Sequence, residues 1–599
     1  MLTRRRTPTQ LILAAALVAA ILPATPALAA NVVTEEYYLP TVGGATIYVE
    51  VTRDTEFEKV PILLTYSPYN NLGEPNPSQD AYANRYVPRG YARAVADVLG
   101  TRGSGGCWDY GGVDEQQSGI DLVKFLAGQP WSNGKVGMIG GSYEGTTATM
   151  VAARGPEVPE LKAIVPIAAI SHWYGYAYNH GVRFFLNSQN PTDEGFDTPL
   201  AFDYGFGRTI APDPTNESFG ETITSRVGPC EEEALEHTGE AYSRQPDYDT
   251  FWKERSYRKD GADFRAAVLL AHGWQDYNVK QEEAIELWDA IPVDPRPVPF
   301  SKRKGVPFKM MYLTQGTHGG ATSGDEWQPL LDRFLDHTLL GENNGIDREK
   351  VRVLSRGRTV TDSGTYQTLP PSPEASWPPK KTDGSALFIN RVFDYDVPGM
   401  PEVPPGTGET GTLDLAPHPD ERYPSFTYFD IGAISEEYTT RDPLNHPGHG
   451  YYSLFYQSPP LAKDQRIAGS ATLLADVRAQ NPGQHLTPLL VDVLPGGEMR
   501  LVQRGFLNLD YAGGLEEADP RPGEWIRAKV EFLPQDFTFP EGHRIGLILQ
   551  SSNTVWAVPG AAGQINIAHG RVPNAGIETG TARLMLPWVD RGKRDSLFA

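Results

Sequence analysis

The 599 residues predict an α/β domain interrupted by a mainly helical insertion and followed by an all-β domain of sandwich or jelly-roll type. Three observations carry this. Short β-rich runs alternate with helical ones from Asn31 to Ile170; the alternation breaks between Ser171 and Asp260 and resumes to about residue 345; beyond it, Pro and Gly become frequent and helical periodicity is scarce. A chain of this length exceeds one core, because single cores stop growing at roughly 250–300 residues.

Residues 1–30 stand apart. Arg4, Arg5 and Arg6 precede the apolar run "LILAAALVAAIL", and Ala27 to Ala29 offer a small-residue cleavage site, the pattern of a secretory signal peptide. An apolar run of about a dozen residues is well short of the roughly 20 that span a bilayer. The first domain then opens with "ATIYVEVTR" and "VPILLTYSPY" as strands, and "YARAVADV" as a strand ending in the Gly-rich "LGTRGSGG". Ile120, Val123 and Leu126 recur at helical spacing, and "KVGMIG" returns to a buried strand leading to Ser142. Residues 171–260, with "SHWYGYAYNHGVRFF" and "PCEEEALEHTGEAYSR", read as the helical cap. Strands resume at "AAVLLAHGW" and "FKMMYLTQG", and a closing helix places Trp327, Leu331, Phe334 and Leu335 on one face. From residue 346 to 599, "IAGSATLLADV", "TPLLVDVLPGG", "WIRAKVEFLP" and "HRIGLILQSS" are short strands between turn signals.

Composition narrows the function classes. Loss of the three leader arginines takes 53 basic residues to 50 against 75 acidic ones, so the formal charge moves from −22 to −25. That balance argues against nucleic acid as a partner. No later run is long and apolar enough to span a bilayer, so the expectation is a secreted protein without stable membrane association. Cys107 and Cys230 are the two cysteines; export favours a bridge between them over two separate buried thiols.

Chemistry centres on "GMIGGSYEGTT". An acyl-transfer nucleophile needs its hydroxyl raised on a tight strand-to-helix turn with the next backbone N–H free for an oxyanion. Gly140 and Gly145 flank such a turn at Ser142, in a G-x-S-Y-x-G spacing rather than G-x-S-x-G. A serine hydroxyl is inert without a base, and a carboxylate and a histidine follow in the required order, each just past a strand: Asp276 after "VLLAHGWQ" and His318 after "MMYLTQGT". His318 would take the serine proton, and Asp276 would hold the imidazole tautomer. His272 sits inside an apolar strand and reads as a core residue; His172 and His180 fall in the cap. His446 and His449 lack the partners of a zinc site, so no metal or cofactor is expected.

"GMIGGSYEGTT", "HGWQDYNVK", "GTHGG" and "GHRIGLILQSSN" resemble the serine hydrolases that include Xaa-Pro dipeptidyl-peptidases, cocaine esterase and α-amino acid ester hydrolases. The resemblance spans nearly the whole chain after the leader and implies an α/β-hydrolase fold with an inserted helical cap and a C-terminal jelly roll. It implies Ser142 as nucleophile, Asp276 as acid and His318 as base, with the Tyr69 hydroxyl and the Tyr143 N–H as the oxyanion hole. "AAISHWYGYAYNHG" is similar to the Ser-Trp-Tyr segment of the Xaa-Pro dipeptidyl-peptidases, which implies release of Xaa-Pro dipeptides; an esterase or amidase of small acyl groups would use the same triad. Two departures stand out: no separate N-terminal helical domain precedes Thr34, and Glu144 stands where many relatives carry Leu. A dipeptide with a free amine needs a carboxylate and an apolar slot, for which Glu144 and the aromatic Trp173, Tyr174 and Tyr176 are the candidates. The expected partner is a peptide or small acyl substrate, and a homo-oligomer is compatible with the reading.

Overall fold

The computed structural model describes residues 31–70, 77–184, 230, 247–292 and 308–379, four short strands between 382 and 427, and most of 453–589. The leader, most of the cap between 185 and 246, and His446 and His449 lie outside the described residues.

The first domain is built on one twisted sheet. Its strands are β1 (Val32–Pro40), β2 (Thr46–Asp54), β3 (Val60–Ser67), β4 (Ala92–Asp97), β5 (Ser132–Gly141), β6 (Leu161–Ile167), β9 (Ala267–Gly273), β10 (Lys309–Thr314) and β11 (Val353–Val360), with the hairpin β7 (Tyr178–Asn179) and β8 (Val182–Arg183) outside it. The order is β1-β2-β4-β3-β5-β6-β9-β10-β11. β1, β2 and β4 pair antiparallel, and every pair from β4–β3 to β10–β11 is parallel.

Both faces of this sheet are covered, which is why its strands read as continuous apolar runs. Helix α1 (Ala81–Tyr86) leads into β4, and side chains alternate across the sheet: Ile62 and Leu64, Met138, Ile164, and Val268 and Leu270 share one core with helices α2 (Val113–Ala127) and α3 (Tyr143–Ala153). Leu63, Ile139, Ala163, Val165 and Leu269 face the other way, onto Trp327, Leu331, Phe334 and Leu335 of the closing helix (Trp327–Leu335). The apolar face expected for that helix is the face it buries.

Of the cap, the described parts are a short helix α4 (Trp173–Ala177), the β7–β8 hairpin and a helix α5 (Thr250–Glu254). Cys230 is bonded to Cys107, with Cα atoms 5.3 Å apart and a sequence separation of 123. This ties the loop after β4 to the insertion.

The C-terminal region is largely antiparallel and jelly-roll-like. Thr472–Ala479 pairs antiparallel with Trp525–Glu531, Gln564–Ala568 and Ala582–Met585, while Ser453–Gln457, Arg544–Gln550, Leu489–Val493 and Met499–Arg504 form a second antiparallel sheet. Leu473, Val477, Leu547, Leu549 and Phe537 fill the core between them. The sequence places β11 beyond residue 345, in this second part. In the structure β11 belongs to both: it pairs parallel with β10 through Met311 and Val353, and parallel with the strand Gln535–Phe539 through Arg358 and Phe537. One sheet therefore runs on from the α/β domain into the β domain.

A buried histidine in the β domain sits between two carboxylates. His543 Nδ1 lies 2.9 Å from Asp492 Oδ2 and its Nε2 3.1 Å from Asp362 Oδ1; His543 and Asp492 are wholly enclosed. Burial pulls the imidazole down, but the hydrogen bonds and charges of Asp492 and Asp362 prevail and hold it above its ordinary value. Burial also raises Asp492. For a group raised on folding, the stabilisation is complete below the unfolded value, about 6.5 for histidine, and is lost as pH rises through the folded value. The Tm advantage of the native chain over His543→Gln is expected to be largest below about pH 6.5 and to shrink above it. A constant advantage from acid to alkaline pH would remove these ion pairs from the account.

Candidate active site

The apolar strand β5 ends at Gly141 and α3 begins at Tyr143, so Ser142 alone makes the turn. Its backbone is forced to φ 56° and ψ −125°, a costly conformation for a side chain with a Cβ. The flanking glycines permit it: a Cβ on Gly140 would lie 2.2 Å from the Glu144 Cβ, and one on Gly145 would lie 2.8 Å from both the Ala169 Cβ and the Gly140 carbonyl. The G-x-S-Y-x-G spacing thus reflects a turn too tight for two further side chains.

Tyr69, from the loop after β3, closes over this turn. Its hydroxyl donates to Ser142 Oγ at 3.3 Å and accepts the Tyr143 N–H at 3.2 Å. Tyr69 as a residue is 38% exposed, yet desolvation pushes its phenol well up from its usual value, against the pull of the two hydrogen bonds. Tyr69 therefore stays a neutral donor. Two donors meet beside the serine, as an oxyanion site requires.

Asp276 and His318 leave the carboxyl ends of the neighbouring strands β9 and β10. Asp276 is fully buried; its Oδ1 accepts the N–H groups of Asn278 (2.9 Å) and Val279 (3.0 Å), and its Oδ2 takes His318 Nδ1 at 2.8 Å. A carboxylate only accepts, so the proton sits on Nδ1 and Nε2 is the basic nitrogen. Burial lowers the His318 pKa, but the charge and hydrogen bond of Asp276 more than offset this and leave it raised. Among the described residues the Ser142 hydroxyl is engaged by Tyr69 and shares no hydrogen bond with His318. Catalytic hydrogen bonds of this kind often tighten only with substrate.

His272 is the core residue its strand suggests. Buried to 1% exposure, it donates Nε2 to the Val279 carbonyl at 2.9 Å and lies 3.7 Å from Asp276 Oδ2, with burial lowering its pKa. His172 is likewise buried and lowered by desolvation.

The residues offered as a substrate pocket are placed differently. Trp173, Tyr174 and Tyr176 are at most 2% exposed and belong to the core rather than to an open slot. The Trp173 indole donates to the Tyr257 hydroxyl at 2.9 Å, and Tyr174 packs against Tyr178, Tyr248 and Trp252. Tyr176 hooks the acid loop, its hydroxyl 3.0 Å from Asn278 Oδ1. An aromatic run has the same pattern in a core as in a slot. Glu144 accepts the Ser67 hydroxyl at 2.7 Å, and Ser67 Oγ in turn accepts the Tyr69 N–H at 3.0 Å, so this carboxylate braces the Tyr69 loop.

Two further networks were not legible in the sequence. Asn70, next to Tyr69, donates to Asp97, which also meets Arg102 and the Gly103 N–H; Arg102 bonds Glu50 at 2.8 Å. The polar "TRG" inside a Gly-rich loop was the only hint of it. Beneath Tyr143, the phenol donates to buried Glu115 at 2.8 Å and accepts the Trp108 indole N–H at 2.9 Å. Burial pushes Glu115 up to about 8. Trp108 adjoins the disulfide, so the bridged loop reaches the residue whose N–H faces the serine. Among the described residues no group of three or more His, Cys, Asp or Glu is arranged to hold a metal, and no helix is long and apolar enough to cross a membrane.

Comparison with known proteins covers both domains. The family model described as X-Pro dipeptidyl-peptidase (S15 family) matches residues 43–320, and that of the X-Pro dipeptidyl-peptidase C-terminal non-catalytic domain matches residues 344–572. A Bacillus cereus protein named "Putative Xaa-Pro dipeptidyl-peptidase" is 27% identical over 540 residues, covering 84% of this chain and 82% of its own. Among solved structures, a CocE/NonD family hydrolase from Staphylococcus aureus shares the fold with a TM-score of 0.66 at 16% identity, over 93% of this chain and 94% of that one. An α-amino acid ester hydrolase does so with a TM-score of 0.63 at 17% identity, over 95% and 99%. With both domain models matched in order along one sheet-linked chain, the protein belongs to the X-Pro dipeptidyl-peptidase (S15) family of serine hydrolases.

Proposed function

We propose that this chain is a secreted peptidase that releases Xaa-Pro dipeptides from peptide N-termini through an acyl-enzyme on Ser142. The observation that carries the reading is the 2.8 Å bond between Asp276 and His318 at the strand ends that also present Ser142, with Tyr69 and Tyr143 as paired donors beside it. Likeness to Xaa-Pro dipeptidyl-peptidases over most of the chain favours the peptidase over the esterase branch. The leader pattern and a disulfide, which persists in oxidising compartments, support export.

The chemistry follows from the atoms. His318 Nε2 takes the Ser142 proton as Oγ attacks the carbonyl after proline. The oxyanion receives the Tyr143 N–H in place of the Tyr69 oxygen, and the Tyr69 O–H in place of Ser142 Oγ. His318 then gives its proton to the leaving amine, and the dipeptidyl ester remains on Ser142. Water, deprotonated by His318, attacks the ester and frees the dipeptide and the serine.

The test is kcat/KM for an alanyl-prolyl anilide, its N-acetylated counterpart and a simple aryl ester, with Ser142→Ala as blank. Preference for the free-amine anilide by about 100-fold or more is expected, because a site built to pair an ammonium loses that bond with the blocked substrate. Ester turnover without anilide cleavage would move the chain to the esterase branch. Activity surviving in Ser142→Ala would overturn the mechanism.

A further inference from the structure

The loop that carries Asp276 is held by groups outside the α/β fold. The Trp274 carbonyl accepts the side-chain amides of Gln281 and of Gln535, the latter at 2.7 Å from the β domain. The Trp274 indole donates to Ser355 at 3.3 Å, and Ser355 donates to Asp536, the neighbour of Gln535, at 2.7 Å. Lys280 is wholly buried and donates to the carbonyls of Tyr277 and, at 3.1 Å, Asn278. Those two residues directly follow Asp276, and the Asn278 N–H is itself a donor to the Asp276 carboxylate.

The ammonium of Lys280 also lies 4.4 Å from the ring centroid of Phe184, beside the β7–β8 hairpin, and 5.1 Å from that of Trp556, in the β domain. Backbone contacts lock these two segments together: Phe184 bridges Ala557, and the Val558 N–H donates to the Arg183 carbonyl at 2.9 Å. Cation–π contact gains strength when the charge is desolvated, as here. Filling this space with an aliphatic side chain would avoid the cost of enclosing a charge, so packing alone does not account for a lysine.

We propose that the β domain is a positioning element of the active site: Trp556 against Lys280, and Gln535 on the Trp274 carbonyl, fix the acid loop and with it the aim of the Asp276 carboxylate at His318. This rests on the reading of Asp276 as the triad acid. Lys280 and Gln535 are positioning residues, since neither touches the reacting atoms. Several charged groups bear on the clamp, and Arg504 lies over the same Trp556 ring, 5.0 Å from its centroid. Asp276, Glu282 and Glu283 favour the charged lysine, while burial lowers its pKa to about 8. His318 feels Asp276 and Lys280 with opposite sign.

The experiment uses the full chain and whichever substrate it turns over, comparing Trp556→Leu, Trp556→Phe, Lys280→Met and Asp276→Asn for kcat, KM, the pH profile of kcat/KM and Tm. Because small misplacements of a catalytic group cost up to about 100-fold, Trp556→Leu is expected to lower kcat about fivefold or more with KM within about twofold, and Trp556→Phe to restore most of it. Lys280→Met is expected to lower kcat further and to move the acid limb to higher pH, because loss of a neighbouring positive charge raises His318. Wild-type kcat in Trp556→Leu overturns the proposal, and if Lys280→Met fails to fold, the Trp556 pair alone decides. Full activity in Asp276→Asn overturns the triad reading instead; collapse of Asp276→Asn beside an intact Trp556→Leu overturns only the positioning role.

Discussion

Replacing Asp276 by Asn is expected to lower kcat by about 10⁴-fold while KM changes little. The reason lies in which atoms the buried carboxylate already serves. Its Oδ1 is fixed by two backbone N–H groups, so an Asn would keep its carbonyl oxygen there and turn its NH₂ toward His318. Nδ1 would then have to accept, the proton would move to Nε2, and the nitrogen meant to take the serine proton would already carry one. Steady-state kinetics with Tm as a check on folding measures this. His272 supplies the contrast, since it lies 3.7 Å from the same carboxylate oxygen but spends its Nε2 on the Val279 carbonyl. His272→Gln is expected to leave kcat within about tenfold, because a conservative change in such a supporting group removes no transition-state contact. A loss of less than about tenfold in Asp276→Asn would remove the acid from the mechanism.

The parts of the molecule legible in the sequence are those that leave a local trace. Strands β2 to β5 and the turn at Ser142 announce themselves because each buries both faces or forbids a Cβ, and the positions of Asp276 and His318 follow from strand ends. What was not legible is set by pairs far apart in the chain. The parallel pairing of β11 with Gln535–Phe539 joins residues nearly two hundred positions apart and has no periodic signature. The hydroxyl of Ser67 braces Tyr69 only because Glu144, in the first turn of α3, reaches back to it. Trp173, Tyr174 and Tyr176 show the converse: their composition suits a proline-binding slot, but their burial is that of a packed core. Composition identifies such residues as apolar and cannot say what covers them.

Tyr69→Phe is expected to cut kcat by about 10²–10³-fold with little change in KM or Tm. The hydroxyl is the group that takes the Tyr143 N–H and donates to Ser142, while the residue is 38% exposed and contributes modestly to the core. Removing one oxygen therefore strips a donor from the developing oxyanion and leaves the ground-state fold intact. The pH profile separates this role from proton transfer. Desolvation holds the Tyr69 phenol above its usual value, so it stays a donor throughout the neutral range, and its loss should scale kcat/KM down without moving either limb. With His318 as the proposed base, held by Asp276 above its ordinary value, activity is expected to fall as pH drops through that raised value and the imidazole becomes protonated. A Tyr69→Phe profile with the same limbs at a lower plateau assigns the hydroxyl to oxyanion binding. A displaced acid limb would instead show that Tyr69 acts on His318, and the two-donor account of the turn at Ser142 would fall.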